Sequence, residues 1–415
     1  MAATPTPTVQ SAIDCVRQRI RTGDFRPGTV LPSESDLAST FGVSRGTIRR
    51  AIEVLIESGE LARRPFSRPI VGSLPRSKAE TAATEVHVWV SHPIADENTL
   101  LFLKGISLGL SGSPYRMVVR EPSRFTGAVV RGEERQFFSD LIQNEKIAGA
   151  IIQRDVFASD EDVIQQALDF GMSLVFVDSP APLGIAADYV GTANIAAARR
   201  CVEHLLELGH TRIAFVADSS VPLTTQDRLK GFLRSMRQAG IEDQAKTLFA
   251  DHLEPVDVSN NVFGGTFATA LDRNPYFLDM SSRLVSAILQ MDPLPTALFV
   301  GFDVLAYWVW ALLEGAGVRI PSQMSIIGFD WVAGRDKSIP DELTTASQDF
   351  AGFGRHAADL LLDRITGQIP STPRHVLLDA PLVIRSSTIP EFTLPAFDSA
   401  KQSMGKGAQV NVYES

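Results

Sequence analysis

The chain has few of the features that mark several common protein classes. It has 415 residues but only two cysteines, Cys15 and Cys201, which excludes a disulfide-stapled scaffold, and we expect both to be buried as small apolar residues. It has no run of about 18 apolar residues, so we predict no membrane-spanning helix. Residues 1–8 are polar and proline-rich without the apolar centre of a signal peptide, and we therefore expect a cytoplasmic protein with no membrane partner.

Motifs for catalysis and for bound cofactors are also missing. The seven histidines lack zinc-ligand spacing, and the sequence has no Gly-x-Ser-x-Gly elbow and no phosphate-binding loop. His204 and His210 flank one predicted helix end, where capping or packing roles are commoner than metal binding. Gly352 and Gly354 lack the preceding strand of a dinucleotide-binding motif. We expect no enzyme activity, no cofactor and no metal.

Positive charge is scarce overall but concentrated at one end of the chain. The net charge is −9, which taken alone argues against nucleic-acid binding. Residues 1–78, however, carry 12 Lys and Arg against 7 Asp and Glu, a net +5, whereas the remainder carries 27 against 41, a net −14. A positive end on an acidic body suits attraction of phosphates by that end alone. The length predicts more than one domain.

Two short helices joined by a tight turn are predicted within the basic region. Ser33 is a favourable N-cap with Asp36 three residues later, as in a weak capping box, and Gly42 ends this helix. Ser44 caps the second helix, which ends at Gly59. The apolar residues at helical spacing, which we expect to be buried, are Leu37, Ala38 and Phe41 in the first helix and Ile48, Ala51, Ile52 and Leu55 in the second.

Further elements flank this pair. An upstream helix, roughly from Val9 to Thr22, presents Ile13, Val16 and Ile20 as its inner stripe. Residues 61–71 are predicted to form two short strands around a basic turn. The pattern is that of a three-helix domain with a wing.

The second helix carries arginines on its exposed face. Arg45 and Arg49 are four residues apart and share that face, with Thr47 and Arg50 beside them. An isolated pair of this kind is most often a solvated helix surface. Here it follows a capped turn, lies inside a three-helix pattern and is close to a second basic cluster. The combination favours insertion of this helix into the major groove of DNA.

Residues 8–72 resemble the winged-helix domain of GntR-type bacterial regulators. The resemblance is carried by Leu-Pro-Ser-Glu from Leu31, Phe-Gly-Val-Ser-Arg from Phe41 and Thr-Ile-Arg-Arg-Ala from Thr47. In that family the helix after the Val-Ser-Arg turn enters the major groove and the wing touches the minor groove or its backbone. Position in the motif implies that Arg45, Thr47 and Arg49 are the recognition contacts. The predicted DNA-contacting set is Ser33, Glu34, Ser44, Arg45, Thr47, Arg49, Arg50, Arg64 and Arg68.

The remaining residues of that set are assigned for specific reasons, and the sequence differs from the family pattern at two places. Ser33 and Glu34 begin a helix, where backbone N–H groups can meet a phosphate. Ser35 occupies a position where many relatives have arginine. The wing tip lacks the usual glycines, so Arg64 and Arg68 are assigned to it only as its basic residues.

From Val86 onward, short apolar strands alternate with amphipathic helices of about 10 to 15 residues. This alternation predicts a two-lobed, doubly wound α/β architecture with parallel sheets, downstream of the winged helix-turn-helix. Predicted strands are Val86–Val90, Met117–Val119, Gly149–Ile152, Leu174–Val177, Ile213–Ala217, Ala297–Val300 and Ser325–Phe329. The expected organisation is a DNA-binding domain over 1–72, a linker over 73–84, a ligand-binding and dimerisation domain over 85–390 and a flexible tail over 391–415.

Polar side chains follow several of these strands. They are Ser91, Asp178, Asp303 and Asp330, and Arg228 begins the helix after another strand. Ligands of open α/β sheets bind at the carboxyl ends of strands, so we expect these groups to converge. Three acids and one arginine suit a neutral, hydroxyl-rich ligand better than a phosphate. The aromatic residues that could stack on such a ligand are Trp89, Phe302 and Trp331.

Residues 85–390 resemble the effector domain of LacI/GalR-type regulators, whose fold is that of periplasmic sugar-binding proteins. The matching runs are Asp188 to Ala197, His204 to Ala214, Arg228 to Phe232, Pro295 to Phe299, Ile320-Pro321, Ser325 to Asp330 and Leu343 to Thr345. The resemblance implies that Arg228, Asp330 and Asp178 contact an effector. Phe302 stands where relatives usually have asparagine, directly before Asp303. Gln348 lies near the expected crossover between lobes and is a further candidate contact.

The two resemblances together imply a one-component transcription regulator, similar to arabinose-responsive repressors that join the same modules. We expect a homodimer on a pseudo-palindromic operator, released or retuned by a carbohydrate-like effector that closes or rotates the two lobes. Phe302 and the tryptophans leave a nucleoside or aromatic effector open. A sugar-binding enzyme with an assembly domain, and a nucleoid-type DNA binder with a vestigial pocket, are alternatives outside the class. The chain also has surplus length around residues 251–276.

Overall fold

A computed structural model describes most of the chain. It describes residues 9–21, 24–25, 29–57, 60–62, 68–71, 83–94, 96–124, 127–154, 161–219, 222–254, 275–330, 342–370 and 372–390. The chain divides into two compact units, Met1–Gly191 with Phe350–Val376, and Thr192–Asp349 with Leu377–Ser415. We call the described part of residues 9–71 the head, the rest of the first unit the first lobe, and the second unit the second lobe.

The head consists of three helices and a two-stranded antiparallel ribbon. Ser33 caps the second helix, and the Ser33 hydroxyl accepts the Asp36 N–H (3.1 Å) while the Asp36 carboxylate accepts the Ser33 N–H (3.2 Å). Gly42 ends this helix in the left-handed conformation at φ +68°. The elements are α1 (Val9–Arg21), α2 (Glu34–Phe41), α3 (Arg45–Glu57), β1 (Leu61–Ala62) and β2 (Ile70–Val71).

The apolar stripes of the three helices meet in a single core, as the helical spacing predicts. The buried members are Ala12, Ile13, Val16, Ile20, Leu31, Leu37, Ala38, Ile48, Ala51, Ile52, Leu55, Leu61 and Val71. Arg17 of α1 donates two hydrogen bonds to the buried carboxylate of Glu60, directly before β1 (2.8 and 2.6 Å), and these bonds link the two segments. The head therefore has its own core and an ion pair whose carboxylate is buried.

The first lobe is a six-stranded sheet flanked by helices. The strand order is β13-β7-β6-β5-β3-β4, and the four pairs from β4 to β7 are all parallel. Central strands such as β5 are buried on both faces, which explains their continuous apolar sequences. The elements are β3 (Glu85–Val90), α4 (Glu97–Gly109), β4 (Arg116–Arg120), α5 (Gly127–Gln143), β5 (Ile147–Gln153), α6 (Glu161–Asp169), β6 (Ser173–Val177), β7 (Asp188–Thr192), α11 (Phe350–Ile365) and β13 (His375–Leu378).

Helices α4 and α11 of the first lobe pack at very short range. A Cβ atom on Gly354 of α11 would lie 2.1 Å from the carbonyl oxygen of Phe102 in α4. No side chain fits there, so glycine is required for the close approach of the two backbones.

The second lobe is also a six-stranded sheet between helices. Its strand order is β14-β12-β11-β10-β8-β9, with every pair parallel except β12 with β14. The elements are α7 (Asn194–Glu207), β8 (Ile213–Ala217), α8 (Leu223–Gln238), β9 (Lys246–Phe249), α9 (Pro275–Leu289), β10 (Ala297–Val300), α10 (Asp303–Gly315), β11 (Ser325–Asp330), β12 (Thr344–Ser347) and β14 (Leu382–Val383), with two short 3-10 turns at Glu242–Gln244 and Ala250–His252.

The chain passes between the two units three times, directly after Gly191, Asp349 and Val376. Within the first lobe, a buried ion pair lies near these passages. Arg364 of α11 donates to both carboxylate oxygens of Asp188 on β7 (2.8 and 2.6 Å), and the Arg374 N–H donates to the same carboxylate (2.8 Å). This pair joins α11, β7 and the chain that leads into β13.

The α/β class with two parallel-dominated sheets and an N-terminal winged helix-turn-helix is confirmed. All seven predicted strands are present, each ending within two residues of its expected bounds. Five other strands of the lobes were not predicted: β7, β9, β12, β13 and β14. The predicted linker, the tail over 391–415 and most of the surplus length fall outside the described residues.

Cys201 lies on the buried face of α7, in the core between α7 and the second-lobe sheet. Burial raises the pKa of its thiol to about 12, which suppresses the reactive thiolate. Cys15 on α1 is half-buried. In the described part of the chain, no helix is long and apolar enough to cross a membrane, and no group of His, Cys, Asp and Glu side chains forms a candidate metal site.

Candidate functional sites

The head presents α3 with its N-terminal half exposed. Ser44 caps this helix, because its hydroxyl accepts the Thr47 N–H (3.1 Å) and lies 2.8 Å from the Thr47 hydroxyl. Arg45, Arg49 and Arg50 are all exposed. The opposite face of the helix is buried in the head core, so α3 is fixed while its arginines face outward. This arrangement can place several guanidinium groups against phosphates and base edges.

Arg49 is paired within the head. Its Nε and Nη2 atoms donate to the two carboxylate oxygens of Glu34 (3.2 and 2.8 Å), and this carboxylate raises the pKa of the Arg49 guanidinium. Glu34 is the first residue of α2, so the pair joins the start of α2 to the exposed face of α3. Both residues belong to the predicted DNA-contacting set, but the sequence did not predict that Glu34 orients Arg49.

Arg68 of the wing is exposed. Hydrogen bonds from Ser33 lower the pKa of the Asp36 carboxyl, and the positive charge of Arg68 also lowers it. Arg64 lies outside the described residues. The wing itself is confirmed as a ribbon of β1 and β2, while its basic turn falls in the undescribed range 63–67.

Arg49→Ala is expected to lose about 1–3 kcal/mol of DNA-binding free energy if Arg49 reads a base. The measurement is fluorescence anisotropy of the full chain on a duplex selected from a random library, at several salt concentrations. A reduced salt slope in place of lost selectivity would assign Arg49 to a phosphate. Arg355→Ala, at an exposed position on α11, is the control and leaves affinity unchanged. Unchanged binding by both Arg45→Ala and Arg49→Ala would contradict the recognition-helix assignment.

The second lobe brings five polar residues into a closed ring of hydrogen bonds and one ion pair, which we call the polar ring. Arg228 Nε donates to Asn194 Oδ1 (2.9 Å), and Asn194 Nδ2 donates to the Thr192 carbonyl (3.3 Å). The Thr192 hydroxyl donates to Gln348 Oε1, and Gln348 Nε2 donates to Asp330 Oδ1 (2.5 Å). Arg228 Nη2 lies 3.4 Å from the same Asp330 oxygen and closes the ring. Of the side chains expected to converge, Arg228 and Asp330 meet here, and Gln348, the separate candidate near the crossover, lies beside them.

Arg228 is held on every side. Besides its partners in the ring, its Nη1 donates to the Gly301 carbonyl (2.5 Å), and its Cζ lies 3.7 Å from the ring centroid of Phe329. A buried guanidinium is tolerated only when its charge is compensated and its donors are satisfied. Arg228 therefore acts as a rigid positive centre beneath the strand ends.

Asp330 is the exposed member of the polar ring. Its side chain is 22% exposed, whereas the other four residues are each at most 7% exposed. Its backbone has φ +116°, a conformation that a residue with a Cβ rarely adopts. Strain of this kind persists where the surrounding structure enforces it, and it is concentrated at functional positions. Among the members of the polar ring, the Asp330 side chain is therefore the most accessible.

Asp303 and Phe302 differ in accessibility. Asp303 is 1% exposed, and its carboxylate accepts the Thr345 hydroxyl (2.8 Å), so the structure places it inside the lobe and not on its surface. Phe302 is half-buried at the start of α10 and packs edge-on against Phe277 (6.4 Å between ring centroids). Trp331 falls outside the described residues.

The predicted site residues of the first lobe also differ in where they lie. Asp178 follows β6 with φ +64°, and its carbonyl accepts the Tyr189 hydroxyl (2.7 Å). Ser91 is buried directly after β3 and contacts His92. Trp89, by contrast, is 2% exposed and packs on Phe137 in the core under α5 (5.4 Å). Its ring offers no surface for stacking, because it lies on the covered face of β3.

Polar groups at three other strand ends were not predicted from the sequence. Asn194 and Thr192 complete the polar ring, and Arg154, directly after β5, forms a fully buried ion pair with Glu134 (3.0 Å). Asp218 directly follows β8 and would have been found by the rule that selected the other acids. Burial raises the pKa of the Asp218 carboxyl, to which the charge of Asp251 adds, while Arg228 opposes the shift.

Asp218→Asn is expected to raise the melting temperature of the protein more at pH 7 than at pH 4. Because the pKa of Asp218 is raised in the folded state, the protonated form adds stability below its ordinary pKa, and this stability is lost as the pH rises through the folded value. Asparagine carries no charge and escapes that loss. Asp359→Asn, at an exposed position of α11, is the control and stays within about 2 °C of the parent. A pH-independent difference for Asp218→Asn would contradict the prediction.

Comparison with known families divides the chain at the same places. The family described as bacterial regulatory proteins, gntR family, matches residues 8–68. The description periplasmic binding proteins and sugar binding domain of LacI family matches residues 130–252, and periplasmic binding protein-like domain matches residues 202–388. The first range coincides with the head, and the other two span both lobes.

The chain is also similar over most of its length to known transcription regulators. The HTH-type transcriptional regulator CelR of Thermobifida fusca is 24% identical over 370 residues, covering 86% of this chain and 98% of the relative. The HTH-type transcriptional repressor CytR of Escherichia coli (strain K12) is 24% identical over 358 residues, covering 81% and 94%. A solved complex of transcriptional regulator CelR with cellobiose superposes with TM-score 0.55 at 21% identity, covering 86% of this chain and all of that chain.

Proposed function

We propose that this chain is an HTH-type transcription regulator that joins a gntR-type DNA-binding domain to a LacI-type periplasmic-binding-protein-like domain, and that a neutral polyhydroxylated ligand controls its binding to operator DNA. The observation that carries the proposal is the polar ring with its exposed, strained Asp330. A carboxylate held by Arg228 accepts hydrogen bonds from sugar hydroxyls, and Asp218 lies close enough to Arg228 for their charges to interact. The carboxylates of Asp330 and Asp218 would repel an anionic ligand. The positive charge of Arg228 is already compensated by its partners in the polar ring.

The chemistry of the site supports a carbohydrate over a phosphorylated compound. Arg228 already gives hydrogen bonds to Asn194 and Gly301 and faces Asp330, so little of its positive charge remains for a phosphate. The relative solved with cellobiose is consistent with a carbohydrate ligand. We propose no catalytic activity, because the relatives are regulators and the strand-end groups serve to bind hydroxyls.

We propose that the protein binds DNA as a homodimer on a pseudo-palindromic operator. One α3 helix presents only a few arginines, which read too little sequence for useful specificity. Helix α4 exposes three leucines on one face, Leu100 (50% exposed), Leu101 (38%) and Leu108 (52%), a surface suited to a second copy of the chain. Leu108→Glu should give a monomer in light scattering. Leu183→Glu, at a fully exposed loop leucine, should leave the dimer intact.

A nucleoside or another planar ligand is the second candidate. It is favoured by Phe302, whose half-buried ring replaces an amide at the edge of the second lobe. A carbohydrate binds through hydroxyl groups, whereas a planar base would stack on this ring. Calorimetry with both compound classes separates the two, and Phe302→Asn should weaken only a planar ligand.

The experiment that tests the proposal combines a thermal-shift panel with operator binding. The purified full chain is heated with neutral sugars, sugar phosphates and nucleosides, each in large excess. A ligand at about 100 times its Kd adds roughly 2.7 kcal/mol to the stability of the folded state. A neutral sugar that shifts the melting temperature and also changes operator affinity supports the proposal. A shift only with phosphorylated compounds, or no effect of any binding sugar on operator affinity, would refute it.

A further inference from the structure

We propose that Thr192 and Gln348 are relay residues that carry occupancy of Asp330 to the segments where the chain passes between its two units. The inference rests on the proposed function, in that a ligand engages the Asp330 carboxylate. Neither residue needs to touch the ligand for this role. Their contribution is to transmit a change in the hydrogen bonds of Asp330 to the segments Gly191–Thr192 and Asp349–Phe350.

The hydrogen-bond chemistry fixes the direction of each bond in the relay. An ionised carboxylate only accepts hydrogen bonds, so the amide nitrogen of Gln348 faces Asp330 (2.5 Å). The amide oxygen therefore faces the Thr192 hydroxyl, which donates to it. The Gln348 N–H also donates to the Asp330 carbonyl (3.4 Å), so backbone and side chain connect the same two residues. Gln348 can satisfy both partners in only one orientation of its amide.

The relay residues lie beside the segments where the chain passes between its two units. Thr192 is the first residue after the first passage between units, and Gln348 stands two residues before the second. The N–H of Ala193, next to Thr192, donates to the carbonyl of Leu378 (2.8 Å), the second residue after the third passage at Val376–Leu377. Bonds around Thr192 therefore join all three segments that connect the units.

Burial makes the relay sensitive to the ligand. Thr192 is 3% and Gln348 7% exposed, so neither can replace a lost partner with water at low cost. A ligand hydroxyl that donates to Asp330 Oδ1 competes with Gln348 for the same oxygen. If Gln348 loses that bond, its amide must turn to satisfy its donor, and it then also gives up Thr192. Coupled bonds of this kind change together.

The test compares Thr192→Val, which removes the hydroxyl but keeps the branched shape, with Thr192→Ser, which keeps the hydroxyl. Amide hydrogen exchange of the full, unliganded chain is followed in peptides covering residues 188–196 and 343–352, with residues 199–207 of α7 as the internal reference. Thr192→Val should raise the exchange of the Ala193 and Gln348 amides about tenfold, the size expected for one lost buried hydrogen bond. Thr192→Ser should match the parent in both peptides.

The second readout is DNA affinity on the selected duplex without any ligand, where Thr192→Val should change Kd by about fivefold or more with an unchanged salt slope. Faster exchange confined to residues 188–196, with residues 343–352 unchanged, would overturn the relay. Faster exchange in both peptides with an unaltered Kd would overturn its link to DNA. Failure of the parent protein to select any duplex would instead count against the proposed function, because the exchange measurement does not depend on DNA.

Discussion

Replacing Asp188 by asparagine is expected to lower the free energy of unfolding by about 3–5 kcal/mol, the usual effect of removing one partner of a buried ion pair. Asp188 is 4% exposed and holds Arg364 through two hydrogen bonds while it also accepts the Arg374 N–H. Asparagine fits the same space but leaves the Arg364 guanidinium without its counter-charge. The midpoint of urea unfolding of the full chain measures the change.

The matched control is Asp140→Asn in the same lobe. Asp140 also pairs with an arginine, Arg120, but the two side chains are 30% and 40% exposed. Water can replace much of that interaction, so the expected cost is about 1 kcal/mol or less. Equal losses for Asp188→Asn and Asp140→Asn would contradict the view that burial makes the Asp188 pair a support of the first lobe.

Arg228→Ala is expected to abolish the response to the ligand, so that a neutral sugar no longer changes operator affinity. Removal of the guanidinium leaves the Asn194 and Gly301 oxygens without their donor and releases Asp330 from its counter-charge. The truncation should also destabilise the second lobe by about 3–5 kcal/mol. Melting curves with and without a neutral sugar that binds the parent, followed by operator anisotropy, give both quantities.

Asp330→Asn keeps the result interpretable if Arg228→Ala does not fold. It retains the Oδ1 acceptor for Gln348 and removes only the charge, so the lobe should remain folded. A hydrogen bond to a charged group contributes about 1.5–3 kcal/mol, and the affinity for the sugar should therefore fall roughly 10- to 150-fold. Parent-like sugar affinity in both variants would remove the second-lobe site from the proposed mechanism.

Local rules were sufficient for the head. Ser33, Gly42 and Ser44 define the ends of α2 and α3 by their own chemistry, and the apolar spacing defines the buried stripes. Nothing local in the sequence indicates that Glu34 pairs with Arg49, because these residues are 15 positions apart and meet only when α2 packs on α3.

The lobes were predictable where the strands are apolar and continuous. Strands β7 (Asp188–Thr192) and β12 (Thr344–Ser347) were missed, because short sequences with threonine, glycine and acidic residues lack the apolar run of a buried strand. Trp89 was assigned to the ligand edge because it lies near the end of β3. In the structure it shares the face of Glu85 and His87, which α5 covers, so the alternation of side chains along the strand decided its place.

The polar ring required tertiary structure. Asp330 stands out in sequence as a strand-end residue, whereas Arg228, expected at a helix start, lies about a turn and a half inside α8, which begins at Leu223. Thr192 and Asn194 lie in a run that resembles LacI/GalR-type regulators, but nothing in that run marks them as site residues, and they are 156 and 154 positions from Gln348. Asp218 is a different case, because it directly follows β8 and its place at a strand end is visible in the sequence.

The burial of Cys201 also determines how the protein can be labelled. With its pKa raised to about 12, that thiol stays protonated and enclosed at neutral pH, so a maleimide spin label should attach only to Cys15 on α1. The native chain thus accepts one paramagnetic tag, located on the DNA-binding head, without any substitution. In the proposed dimer, pulsed electron paramagnetic resonance between two such tags would give the head-to-head distance in nanometres, free and on the operator, from the unmodified sequence.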